Sequence, residues 1–234
     1  MKVLQHPVLG EITVNPSVRA RRLSISVRPG GEVRLTIPRR MKAQDALRFL
    51  EEKMDWVLRA RARMAERCRP QLIVPPYATR THRLLLEPVA GTDIRVRVVG
   101  ECIEVRYSSE LTPENDRVQE IIRRGVEEAW RIEAKAYLPG RVEELSRQTG
   151  LRCGRVTIRN ARTRWGSCSV NNDISLSLHL MKLPDPLIDY IILHELCHTR
   201  HKNHGPRFHA LLDKVCQGRH LVLRRQLKAY STRW

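Results

Sequence analysis

Aromatic side chains are scarce in this sequence. Phenylalanine occurs twice in 234 residues, and Phe, Trp and Tyr together make up 5%. No stretch interleaves them with basic residues, so a base-stacking surface of the single-strand-binding kind is not written into the chain. Long apolar runs are also missing, and none approaches the roughly 20 residues that cross a bilayer. The opening Met1-Lys2-Val3-Leu4-Gln5-His6 carries no apolar leader segment. A cytoplasmic protein with no membrane partner is therefore expected. Six cysteines are present (Cys68, Cys102, Cys153, Cys168, Cys197 and Cys216), but never as C-x-x-C. That excludes the common zinc-ribbon spacing and leaves reduced, mostly buried thiols as the expectation. No glutamate follows Glu195, which limits the ligands open to a metal site late in the chain.

Negative charge is in short supply. Lys and Arg number 43 against 25 Asp and Glu, giving a formal charge of +18. The excess is +9 over residues 1–70 and +10 over residues 151–234, with −1 between. Such a field attracts polyanions, nucleic acid among them, although no DNA-reading motif accompanies it. A plain solvated basic surface is the alternative.

Punctuation and periodicity give an α+β chain in two regions, 1–110 and 111–234. The first reads as mostly β with one helix. Extended runs cover 3–14, 21–27 and 32–37, the last two joined at Pro29-Gly30-Gly31. A helix over 43–69 follows, with Ala46, Leu47, Leu50, Met54 and Val57 among its apolar positions. A loop over 70–81 then leads to extended runs at 82–87, 93–99 and 102–107. The second region opens with a long helix, Thr112 as its N-cap and Pro113 at N1, closed by Gly150. A strand at 156–159 and a hairpin of 165–170 and 174–180 around Asn171-Asn172-Asp173 come next. Helices are expected from Asp185, over 208–215 and over 221–230.

The chemistry concentrates in His194-Glu195-Leu196-Cys197-His198, an H-E-x-x-H arrangement. Residues four apart share a helix face, so both imidazoles can reach one zinc ion at about 2.0–2.1 Å. Glu195 is turned aside, where a general base towards the attacking water is needed. The apolar run Leu187, Ile188, Tyr190, Ile191, Ile192 and Leu193 fits a helix buried beneath such a site. Cys197 points away from the His194/His198 face and reads as packing.

A catalytic zinc needs a third protein ligand and an open position. A downstream glutamate is absent, leaving His201, His204, His209, Asp213 and His220. His201 would lie roughly 4.5 Å further along a continuing helix than His198. The chain must instead turn, and Asn203 with Gly205-Pro206 supplies the turn chemistry. His204 beside that turn is the favoured ligand. Its offset is that of the third histidine in an H-E-x-x-H-x-x-G-x-x-H pattern, with His201 in place of the glycine. His209 and Asp213 fall on the next helix as supporting or surface groups, and His220 reads as a surface residue.

The second informative stretch runs from Arg155 to Leu183. Polar Ser175, Ser177 and His179 alternate with Ile174, Leu176, Leu178 and Leu180. A sheet edge beside the metal helix could hold an extended peptide through backbone hydrogen bonds. Trp165, Gly166 and Ser167 are the candidate cleft residues, because Gly permits close backbone approach. Arg162, Arg164 and His179 are candidate oxyanion donors, and Tyr190 reads as core.

R-W-G-S-C-S, I-S-L-S-L-H-L-M-K-L-P, I-D-Y-I-I-L-H-E-L-C-H and K-N-H-G-P-R-F-H follow one another closely. In that order they resemble the YgjP-like metallopeptidase family, relatives of the SprT-like zinc proteases. The R-A-R-R-L-S-I-S-V-R-P-G-G-E-V-R-L-T-I-P segment and the F-L-E-E-K-M-D-W-V helix share the likeness, which spans nearly the whole chain. The resemblance implies a zincin-like C-terminal domain, its H-E-x-x-H helix beside a small antiparallel sheet. It implies one zinc held by His194, His198 and His204, with Glu195 as the catalytic acid and base. Ser177 and His209 depart from it, standing where asparagine and tryptophan are expected. SprT-like relatives act on DNA-bound proteins, which suggests nucleic-acid-associated protein substrates by analogy. The rival expectation is a nucleic-acid-binding module with a closed structural zinc, its fourth ligand supplied by Cys197, Cys216 or His209.

Overall fold

The computed structural model describes residues 2–28, 30–67 and 71–232. The turn residue Pro29, the end of the expected helix at 68–69 with Cys68, and Pro70 lie outside the described residues. The described residues form ten strands in three sheets, six α-helices and one 3-10 helix. The chain divides into two compact units between Gln71 and Leu72. The boundary expected after residue 110 falls inside the second unit.

In the first unit the strands are β1 (Lys2–His6), β2 (Gly10–Ser17), β3 (Ser24–Val27) and β4 (Val33–Pro38), in the order β1-β2-β4-β3. The extended run expected over 3–14 is two strands. The His6 ring accepts the N–H groups of Val8 and Leu9 at 3.2 Å each, and Gly10 takes φ +72° to reverse the chain. Strand β4 alternates strictly, burying Val33, Leu35 and Ile37. Helices α1 (Ala43–Glu52) and α2 (Met54–Arg67) add Ala46, Leu50 and Val57 to that core. The single helix expected here is broken at Lys53, at φ −108° and ψ 13°. No Gly or Pro marks the break, and the apolar stripe runs through it.

In the second unit, β5 (Arg83–Val89), β6 (Arg95–Val99) and β7 (Cys102–Ser108) form a sheet in the order β5-β7-β6. After it come α3 (Asp116–Thr149), then β8 (Val156–Arg159), β9 (Gly166–Cys168) and β10 (Ile174–Ser177) in the order β8-β10-β9. One topology recurs in all three sheets. A strand is followed by an antiparallel hairpin whose second strand inserts beside the first, parallel to it. The inserted strand is paired on both sides and carries the buried residues: Val33 and Leu35, Ile103 and Val105, Ile174 and Leu176. The sheet beside the H-E-x-x-H helix is thus mixed, not antiparallel as expected.

Helix α3 is 34 residues long and organises the second unit. Its N-cap is Asn115, whose Oδ1 accepts the Arg117 N–H at 3.0 Å. The expected cap, Thr112, instead gives its carbonyl to the Asn115 N–H in the preceding turn. Gly150 closes the helix at φ +71°. Gly125 lets α3 press onto its first sheet, since a Cβ there would lie 2.5 Å from Val96 Cγ2 and 2.7 Å from Ile103 Cγ2. One turn after Ala129, Glu133 is buried beneath the Thr79–His82 turn, four of whose donors it accepts. Further along, Arg141 donates Nε–H and Nη2–H to both carboxylate oxygens of Asp189, at 2.7 and 2.6 Å.

The strand expected over 174–180 stops at Ser177 and becomes a 3-10 helix, Leu178–Lys182. The Ser177 hydroxyl donates to the Ala161 carbonyl at 2.8 Å and accepts the His179 N–H, turning the chain. His179 is fully buried as a result. Helices α4 (Asp185–Cys197), α5 (Pro206–Val215) and α6 (His220–Leu227) complete the unit. No helix among the described residues is long and apolar enough to cross a membrane.

Candidate metal centre

Helix α4 starts as its sequence suggests, with Pro184 as N-cap, Asp185 in the first turn and Pro186 at its opening. It is apolar nearly all round and sits in the core, from Leu187 to Cys197. It ends at His198, the C-cap, still with right-handed dihedrals. The chain then winds through a tight turn, with Thr199, Arg200 and His201 donating back to the carbonyls of Leu196 and Cys197. Gly205 and Pro206 start α5. This reversal returns His204 to the helix.

The ligand-type nitrogens of His194, His198 and His204 all lie within 4.8 Å of one another. His204 Nε2 and His194 Nε2 are 3.1 Å apart. Two nitrogens bound at 2.0–2.1 Å to one tetrahedral ion would be roughly 3.3 Å apart. The His198 Nδ1–H donates to the His201 carbonyl at 3.0 Å, fixing the ring and leaving Nε2 free as a ligand. Burial pushes His194 down to about 4, with the other histidines and Arg224 adding to the effect. Burial likewise lowers His198, partly opposed by the His201 carbonyl. Neutral imidazoles are the form a metal takes. The donor set therefore fits a divalent metal.

The sequence places Phe208 among the apolar core positions of its helix but gives it no part in the site. It is fully buried and floors the cluster, with ring centroids 4.9, 4.5 and 4.7 Å from those of His194, His198 and His204. Its apolar face holds the three rings together without competing for the metal. The only sequence signal was its place in an apolar stripe, which indicates core and nothing more specific.

Glu195 is buried, and its Oε2 has no hydrogen-bond partner. Burial pushes its carboxyl up to about 7, with Arg164 opposing. Gly166 of β9 makes room for it: a Cβ there would sit 2.8 Å from both Glu195 Cγ and Oε1. Of the other expected cleft residues, Trp165 gives its carbonyl to the Ser177 N–H at 2.8 Å, and Ser167 pairs with Ser175. Lys202, which the sequence reading missed, ties the hairpin to the metal loop. Its Nζ donates to the Ser169 carbonyl at 2.7 Å and to Asn172 Oδ1 at 2.6 Å.

Several sequence candidates stand apart from the cluster. His201 contributes its carbonyl. His209 lies one ring further out, 6.4 Å from His204 between centroids. His220, expected at the surface, is largely buried and bonds Asp213 at 2.6 Å. Arg162 is held by Glu127 at 2.6 Å and His179 by Asn160 at 2.9 Å, so two of the three candidate oxyanion donors are engaged. Tyr190 is core, as read. Burial pushes the Cys197 and Cys216 thiols up to about 12 and about 11, and neither belongs to the cluster.

Residues 21–230 match the YgjP-like, metallopeptidase domain family. The chain belongs to that family. It is therefore a peptidase, a hydrolase of protein or peptide substrates that works with a divalent metal. No curated protein matches it. Among solved structures it is similar to the metallopeptidase zymogen of Pyrococcus abyssi, abylysin. That likeness is 22% identical over 39% of this chain and 92% of the other, with a TM-score of 0.35. The zymogen of Methanocaldococcus jannaschii jannalysin is 24% identical over 38% of this chain and 95% of its own, with a TM-score of 0.32.

Proposed function

We propose that this metallopeptidase uses zinc, held by His194, His198 and His204, with Glu195 as general base and acid in a zincin-like catalytic domain. The observation that carries the reading is the convergence of three imidazole nitrogens within 4.8 Å of one another, next in sequence to a buried carboxylate whose Oε2 has no hydrogen-bond partner. Zinc bound there supplies a Lewis acid that acidifies water and polarises a carbonyl. Glu195 takes a proton from the attacking water onto its carboxylate and returns it to the leaving amine. Gly166 keeps the space that this carboxylate needs. Strand β9 lies at the edge of its sheet, so an extended substrate can pair along Gly166–Cys168.

Three histidines without a fourth protein ligand among the described residues suit an open catalytic position better than a closed structural one. The substrates proposed are nucleic-acid-associated proteins, supported by the charge of +18. A cytoplasmic location belongs to the same reading, supported by five free cysteines among the described residues.

Elemental analysis of dialysed protein tests the metal assignment. One zinc per chain in the parent and its loss in His204→Ala are expected. Stoichiometric zinc retained by His204→Ala would move the third ligand elsewhere, and a metal-free parent after zinc supply at neutral pH would sink the reading. Peptidase assays with and without DNA, over a range of salt, test the substrate class.

A further inference from the structure

Strand β3 is an edge of the first unit's sheet, paired with β4 on one side. The Arg28 N–H donates to the Glu32 carbonyl at 2.8 Å. Bonding along an antiparallel pair alternates, so Ser26 and Ser24 bond towards β4. The N–H and C=O groups of Ile25 and Val27 then point to the open edge. Such edges are usually blocked by a charge, a proline or a bulge. The β3 sequence S-I-S-V has neither charge nor proline, and its register with β4 is continuous. Beside the edge lies a groove of about 560 Å³, with Leu23, Ser24 and Ile25 on one wall and Phe49 and Trp56 on the other. Trp56 is 43% exposed. The unmarked helix break at Lys53 falls between the two rings, placing Phe49 on α1 and Trp56 on α2.

Charge selects the occupant. The antiparallel register sets the end of β4 beside the start of β3, which brings exposed Arg39 and Arg40 near exposed Arg21 and Arg22. No acidic residue occurs over 12–31 or 33–44. Within the groove, Glu52 and Asp55 offset Lys53 and Arg59. We propose that this groove docks an extended segment of another protein, added as a strand to β3, with apolar side chains at alternate positions and acidic residues at the end beside Arg21 and Arg22. The backbone of the segment bonds Ile25 and Val27, and its inward side chains lie against Phe49 and Trp56. Antiparallel pairing, the commoner kind, puts the acids at the C-terminal end of the segment. The β3 strand of a second copy is a poor occupant, because it brings arginine against arginine. Nucleic acid is disfavoured by the carboxylates of Glu52 and Asp55 on the groove wall. The site lies in the first unit and is independent of the metal assignment.

Fluorescence anisotropy of a labelled Val-Thr-Val-Thr-Val-Asp-Glu peptide, titrated with the full-length protein, tests the groove. Saturable binding is expected, weakened about tenfold by Trp56→Ala with circular dichroism unchanged. Arg21→Glu combined with Arg22→Glu alters exposed side chains and keeps the fold. It should weaken binding about threefold at low salt, and less at high salt. Two further peptides carry N-methyl groups on one or the other set of alternate backbone nitrogens. One of them should lose binding and the other keep it, because only one set faces β3. No saturable binding, or equal tolerance of both methylation patterns, would overturn the proposal. So would a folded Trp56→Ala variant that binds as the parent does. A single-stranded oligonucleotide that displaces the peptide from the parent, and binds less well to Trp56→Ala, would give the groove to nucleic acid instead.

Discussion

Two glutamates of the second unit are almost equally buried, Glu133 at 3% exposure and Glu195 at 6%. Their surroundings differ in one respect, the supply of donors. Glu133 Oε1 accepts from the Thr79 hydroxyl at 2.5 Å, the Thr81 N–H at 2.8 Å, the Thr81 hydroxyl at 3.0 Å and His82 Nδ1 at 2.9 Å. Burial raises its carboxyl, but those donors outweigh burial and hold it below its ordinary value. Glu195 has burial without donors, and burial pushes it up to about 7. Burial alone therefore assigns no role to a carboxylate. Where donors surround it, the carboxylate is a cross-link; where they are missing, it is free to exchange a proton.

The largest expected effect comes from removing the donor-free carboxylate. Glu195→Gln should lower turnover about 10²–10⁴-fold while zinc content stays at the parent level. A variant that loses its metal, or turns over as the parent does, would count against the general-base role. Gly166→Ala tests whether the space around Glu195 matters. The added Cβ must displace the carboxylate, so a loss on the order of 10²-fold in kcat is expected with metal retained. An unaffected kcat would mean that the carboxylate is not held in place by this approach.

The same change at the other glutamate should act on stability. Glu133→Gln leaves donors at Thr79, Thr81 and His82 with a weaker acceptor, destabilising by about 1–3 kcal/mol. Thermal unfolding should show a lower Tm, while activity per folded molecule is unchanged. A loss of specific activity at full folding would blur the contrast between the two sites. The smallest effect is its pH dependence. Glu133 has a folded pKa below its unfolded one, so its contribution is fully present above the ordinary value of 4.5. It is lost as pH falls through the depressed folded value. Melting curves of the parent and Glu133→Gln should converge in acid, and a gap that persists there would contradict the ionised cross-link.

What was legible in the sequence was what depends on local spacing. The four-residue offset of His194 and His198, the turn chemistry at Asn203 and Gly205, and the glycine at 166 each state a short-range constraint. Features that depend on distant partners stayed hidden. Ser177 looked like one more step of an alternating strand, but its hydroxyl bonds Ala161, sixteen residues back, and the strand ends there. Arg162 and His179 looked available for catalysis. Glu127 engages Arg162, and also engages the Asn160 side chain that holds His179. Thr112 and Asn115 are both good caps, and the backbone turn, not residue type, chose between them. The break at Lys53 lacks any helix-breaking residue, and His220 looked exposed because its partner lies on another helix.

Helix α3 carries a consequence for how this chain can change in length. Gly125 fits against Val96 and Ile103, and Arg141 grips Asp189, with the intervening residues all helical. Each residue advances a helix by about 1.5 Å and 100°. One deletion anywhere from 126 to 140 would swing the arginine a quarter-turn or more away from its carboxylate. Adding seven residues would nearly restore the angle but move it about 10 Å along the axis. The surface loops can gain or lose residues without such a phase error. In this span the number of positions is as firmly set as the identity of any side chain.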